Sequence, residues 1–161
     1  MKLTGQLSNL VLWIFVSFIQ AMEPQISIYL QQLLLCEEKL SDTQIRDLQK
    51  QFEFSFPQEY IEVLKEYNGG EGEVGNEGWL CLFAAKDLYD VNNTWYKILM
   101  DDIPEYFLFG KDAADTGYAF HKYNHSYHAF GLMSNFETDN ITFCGNSFLE
   151  FVTALSEGKC Y

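Results

Sequence analysis

The sequence predicts an α+β fold: N-terminal helices, a central antiparallel or mixed sheet of about five strands, and a closing C-terminal helix. Three observations carry this. Apolar residues recur at helical spacing between Pro24 and Tyr67. Five short runs rich in aromatic and apolar residues then follow between Trp79 and Gly145. A helical pattern returns at Phe148.

Pro24 starts the first helix, which the spacing of Ile26, Tyr29, Leu30, Leu33 and Leu34 carries to about Cys36. Ser41 with Gln44 reads as a capping box and opens a helix bearing Ile45, Leu48 and Phe52. In "FPQEYIEVLKEY", Pro57 suits a first turn, and Tyr60, Val63, Leu64 and Tyr67 share one face. The expected strands are Trp79–Phe83, Tyr106–Gly110, and the runs "GYAFHKY", "SYHAFGLM" and "NITFCG". Between the third and fourth, Asn124 and His125 make a two-residue hairpin loop, with Asn at positive φ, which sets His121 opposite His128. "AKDLYDVNNTWYKIL" mixes a short helical piece with loop. Ser147 and Glu150 form a second capping box for a last helix with Phe148, Phe151, Val152 and Leu155 inward, and Gly158 stops it.

Gly70, Gly72 and Gly75 spell G-x-G-x-x-G, the dinucleotide fingerprint. That motif needs a strand before it and a helix after it, so that a helix N-terminus meets the pyrophosphate. Here a helix precedes. Asn68, Gly69 and Gly70 are the residue types of a helix C-cap. A helix C-terminus is electronegative, and Glu71, Glu73 and Glu77 add to it. The reading is a helix stop followed by an acidic turn, with no nucleotide and no cofactor.

The 161 residues fit one domain, residues 22–161, preceded by a hydrophobic segment, 1–21. Residues 10–19, "LVLWIFVSFI", are short for a membrane span and lack a small-x-small cleavage site. Three readings compete: a misassigned start upstream of Met22, a poor signal or anchor sequence, and an extra packed helix. No membrane association is expected unless residues 10–19 act as an anchor. Cys36, Cys81, Cys144 and Cys160 form no C-x-x-C pair, and four reduced thiols in a cytoplasmic protein are expected. The net charge of −13 speaks against direct nucleic-acid binding and for a basic partner.

Catalytic patterns are sparse. His121, His125 and His128 lie close in sequence, and a metal-dependent enzyme could use His121 and His128, but a third converging ligand is needed. No G-x-S-x-G elbow occurs, and Cys144 reads as a strand-end cysteine. Asp101–Asp102 and Asp112 with Asp115 read as loop decoration. Sequons at "NNT", "NHS" and "NIT" carry weight only outside the cytosol.

"FPQEYIEVLKEYNGGEG" resembles the signature of the SUKH superfamily, which includes Smi/Knr-like fungal cell-wall regulators and bacterial toxin-immunity proteins. The matching residues are Phe56, Pro57, Tyr60, Asn68, Gly69 and Gly70. "FLFGKDAADTGYAF" matches at Phe109, Gly110, Gly117, Tyr118 and Phe120, and "GNSFLEFVTAL" at Asn146, Ser147, Phe148 and Phe151. The "DAADT" stretch, the His-bearing hairpin and the hydrophobic N-terminus depart from the pattern. The resemblance implies a SUKH-like α+β domain that binds proteins without catalysis, in bacteria often an immunity protein occluding a nuclease toxin. The motif residues are then mainly structural. Glu71, Glu73, Trp79, Asp112 and Asp115 are the candidates for a face that meets a basic toxin domain. The alternative is a regulatory scaffold of the cell-wall-regulator type.

Overall fold

Proline at the first position starts α1 (Pro24–Leu30), which turns Ile26 and Leu30 into the core. The computed structural model describes residues 22–136 and 139–161, and the stretch 10–19 with its three readings lies outside them. The first helix is shorter than its apolar spacing predicts. Leu34 leaves it to exchange both backbone hydrogen bonds with Glu71, at 2.8 and 3.0 Å. A tertiary pairing thus takes the segment that helical propensity alone would have kept.

Ser41 caps α2 (Asp42–Gln49) as expected. Its Oγ accepts from Gln44 N, and the Gln44 side chain accepts from Ser41 N at 2.9 Å. Next, α3 (Gln58–Glu66) buries Tyr60, Val63 and Leu64. The chain leaves it through Gly69 at φ +74°, where a Cβ would stand 2.9 Å from that of Ala84. Both the conformation and the space therefore call for glycine.

Six antiparallel strands follow in meander order: β1 (Glu71–Val74), β2 (Gly78–Leu82), β3 (Tyr106–Lys111), β4 (Thr116–His121), β5 (Tyr127–Gly131) and β6 (Thr142–Gly145). The stretch expected to be an acidic turn is strand β1. Its residues alternate, with Glu71 and Glu73 exposed and Gly72 and Val74 buried. At Gly72 a Cβ would lie 2.6 Å from the carbonyl oxygen of Gln32, so the edge of β1 and the Leu34 segment approach only because the side chain is absent.

One sheet face carries Phe107, Phe109, Tyr118, Phe120 and Tyr127 against residues from the helices, among them Tyr60, Phe148 and Phe151. Full burial of each aromatic contributes about 1.5–3 kcal/mol. Phe52, Phe54 and Phe56 pack on the Phe107 end with ring centroids 5.1–5.3 Å away. The other face is roofed at its centre by α4 (Leu88–Asp90), a π-turn at Val91–Trp95 and α5 (Lys97–Asp102). Val91, Met100 and Ile103 sit there on Leu108, Ala119 and Phe130. Asn92 pins this roof: its Nδ2 donates to Leu108 O and its Oδ1 accepts from Leu108 N, each at 2.9 Å. Leu108 lies at the β3 irregularity, and Asn92 supplies the partner that a neighbouring strand would have given.

The β4–β5 hairpin departs from the expected register. His121 N donates to Ser126 O and His125 N to His121 O, so the loop takes four residues, Lys122–His125. Ala119, not His121, faces His128. The positive φ falls on His125, because the Asn124 side chain is engaged by Ser126 N. At the C-terminus, α6 (Phe148–Ser156) starts from Ser147, whose Oγ accepts from Glu150 N. The return arm of the expected box goes one residue back, from Asn146 N to Glu150 Oε2 at 2.7 Å, while Phe148 N donates to Glu59. Gly158 at φ +65° ends the helix. The following turn brings Cys160 to β6, with a Cα–Cα distance of 5.6 Å to Cys144, and the two form a disulfide. Four reduced thiols were expected; two thiols, Cys36 and Cys81, are free.

Candidate functional site

The pleat of β1 and β2 builds the first candidate surface. Glu73 pairs across the strands with Trp79, and Glu71 with Cys81. Each pair therefore projects from the same side, opposite the buried Gly72–Leu80 and Val74–Gly78 pairs. Trp79 is 37 % exposed. Cys81 continues the row to Lys111 of β3. Burial pushes the Cys81 thiol above its usual range and the Glu71 charge adds to this, so Cys81 is a poor nucleophile.

Asp112 and Asp115 fall in the β3–β4 turn, which the Cys81–Lys111 register carries alongside Trp79. They are not equivalent. Asp112 Oδ1 accepts from Ala114 N at 2.8 Å and Thr116 N at 2.9 Å, so its carboxylate folds the turn. Asp115 is exposed, and its backbone carbonyl accepts from Leu132 N. The structure thus brings Glu71, Glu73 and Trp79 onto one open face, while Asp112 is occupied by its own backbone and Asp115 lies against Leu132 at the start of the segment after β5.

The motif residues lie elsewhere. Phe56, Tyr60, Phe109, Tyr118, Phe120, Phe148 and Phe151 are core residues. Asn68 is buried and tied at both ends: Nδ2 donates to Glu38 O at 2.9 Å and Oδ1 accepts from Ala85 N at 2.8 Å. Gly110 and Gly117 lie within the sheet, where an added Cβ would meet neighbours at 2.9 and 2.7 Å.

The histidines share a face without facing each other. The Tyr106 ring stands between them, its centroid 5.2 Å from His121 and 5.0 Å from His128. Ser126 Oγ lies 2.8 Å from His128 Nε2 and donates to Asn124 Oδ1, whose acceptor role is fixed by the Ser126 N–H. Nε2 of His128 therefore carries the proton and donates to Ser126. Its Nδ1 is buried without a partner among the described residues. Burial, with a smaller contribution from His121, pushes the His128 imidazole down to about 4. His121 Nδ1 accepts from Tyr123 N and Asn124 N. Among the described residues no three His, Cys, Asp or Glu side chains converge as a metal ion requires.

A second surface was missed by sequence reasoning. Thr94, Trp95, Tyr96, Ile98, Leu99 and Asp102 from the roof, with Leu132–Ser134 after β5, line a groove of about 460 Å³. The available signal was the run Ile98, Leu99, Met100: three consecutive apolar residues on a helix cannot all point into one core.

No helix among the described residues is long and apolar enough to cross a membrane. No curated protein matches the chain. Residues 39–154, more than half of it, match the SMI1 / KNR4 family (SUKH-1). The matched span runs from just before the Ser41 cap to the last turn of α6, and so takes in Asn68 with its Ala85 partner, the whole meander and most of the helix packed on it. On that coverage the chain belongs to the SMI1 / KNR4 family (SUKH-1).

Proposed function

We propose that the chain is a non-enzymatic protein-binding module that neutralises a cognate toxin, of the basic nuclease kind, by occlusion. Family membership is consistent with immunity-protein or Smi1/Knr4-type roles. One observation carries the choice of surface: Glu71, Glu73 and Trp79 project together from the open side of an edge hairpin, in a chain of net charge −13. Such a face attracts a basic active site over a distance and presents an aromatic anchor on contact. Asp112 holds the adjoining β3–β4 turn, from which Asp115 would add its exposed charge.

The test is an inhibition screen against purified secreted nuclease toxin domains. A cognate domain loses activity on mixing, and the double variant Glu71→Lys/Glu73→Lys loses the protection while keeping its fold. Full protection by that variant overturns the choice of face. The family match equally favours a regulatory scaffold of the cell-wall-regulator type; a neighbouring toxin gene separates the two. A cytoplasmic site of action goes with neutralisation and would hold Cys144 and Cys160 as buried thiols. The disulfide form belongs to an oxidising compartment.

A further inference from the structure

The groove over the α4–α5 roof presents apolar surface that the fold itself does not use. Ile98 is 86 % exposed, Met133 88 % and Trp95 59 %. Single exposed apolar residues are ordinary, but these three converge on one concavity with Leu99 and Leu132. Its wall is built, not incidental. The π-turn closes with Tyr96 N donating to Val91 O, and this sets Trp95 outward. The two Asn92 bonds to Leu108 lock the π-turn to the sheet. A tryptophan, the residue type enriched at interface hot spots, stands here beside an adaptable Met and an exposed Ile.

Charge says what fits. Asp102 lines the groove and has no hydrogen bond or ion pair among the described residues. The roof also carries Asp90 and Asp101 against Lys97 alone, and Lys97 is bound to Asp101 at 2.6 Å. A second copy of the chain would itself carry a net charge of −13. We propose that the groove docks a basic protein segment whose apolar side chain seats between Trp95, Ile98 and Met133 while a flanking Lys or Arg meets Asp102. This shares with the toxin-binding reading only that the partner is a basic protein; it uses a different surface.

The probes are fluorescein-labelled synthetic peptides with Leu and Phe anchors four residues apart flanked by Lys and Arg, read by anisotropy against the full chain at physiological salt. Saturable binding is expected, lost when the anchors become Ser or the flanking residues Glu. Ile98→Asp and Asp102→Lys each weaken it about tenfold, the size of a single hot-spot contact. Both sites are exposed, so both variants fold, as circular dichroism will show. Binding that ignores both substitutions, or an acidic peptide that binds equally well, overturns the proposal. Concentration-dependent self-association in sedimentation that Ile98→Asp abolishes assigns the groove to a second copy and likewise overturns it. If no toxin is inhibited while the peptide still binds in an Ile98-dependent way, the neutralisation reading falls and the groove stands.

Discussion

Asn68→Ala tests whether the family motif holds the fold or meets the partner. Asn68 joins three segments: the helix end it belongs to, the Glu38 carbonyl before α2 and the Ala85 N–H after β2. Truncation leaves both backbone groups without their partner. Glu38 is exposed, so its carbonyl recovers a water at small cost. Ala85 is half-buried, and a buried N–H left unpaired costs about 1–3 kcal/mol. The loss is therefore about 1–3 kcal/mol, which lowers Tm by about 2–12 °C in a domain of this size. Urea unfolding will show it as a fall in midpoint at unchanged slope. Asn68→Asp sharpens the test. At neutral pH its carboxylate accepts from Ala85 N but faces the Glu38 carbonyl oxygen. Once protonated it donates to that oxygen and imitates asparagine. Relative to wild type at the same pH, Asn68→Asp therefore recovers stability as pH falls. A loss below about 0.5 kcal/mol for Asn68→Ala refutes the reasoning, because a half-buried N–H left unpaired costs more than that.

Two further predictions concern groups the sequence left obscure. The Cys144–Cys160 bridge closes a loop of sequence separation 16 and contributes about 3 kcal/mol on the chain-entropy account. In the oxidised protein, reduction, or the Cys144→Ala/Cys160→Ala pair, lowers the unfolding midpoint accordingly, and alkylation after unfolding without reductant modifies Cys36 and Cys81 alone; four alkylated cysteines after oxidation would show that no bridge forms. His128 is held neutral in the folded protein, so the unfolded chain takes up a proton first as pH falls. Stability is full above about 6.5 and declines between there and about 4. The loss is about 1–2 kcal/mol after discounting for the half-exposed ring. His128→Phe removes that slope, and an unchanged slope in the variant rules His128 out as its source.

How much could be read from the chain depended on whether a residue's neighbours were close in sequence. The capping box at Ser41, the helix face of Tyr60, Val63 and Leu64, and the stop at Gly69 are local patterns, and they formed where the spacing put them. Strand β1 was hidden because Glu and Gly have low strand propensity; it exists through its register with Trp79–Cys81 and the Leu34 bridge. The same bridge shortened α1. The His121–His128 register failed because a turn's length is decided by where its hydrogen bonds close, and here Asn124 spends its side chain on Ser126. The disulfide depends on the turn at Gly158 and the position of β6, which no spacing rule relates. Of the candidate site, Glu71, Glu73 and Trp79 came together by alternation, whereas the pairing of the roof with Met133 is wholly tertiary.

The two proposed surfaces would divide the work that binding requires. Long-range attraction depends on the charge carried around the contact face and falls steeply with salt. Lasting contact depends on desolvated apolar anchors and sets the dissociation rate. The acidic β1–β2 face has one partly exposed aromatic, Trp79, among charges. The groove has three exposed apolar side chains and a single lining carboxylate. Substitutions in the first should therefore change association rate and its salt dependence, and substitutions in the second should change dissociation rate at any salt. A basic partner that touches both surfaces would show the two effects separately in one kinetic experiment, and a partner that touches one would show only the effect belonging to that surface.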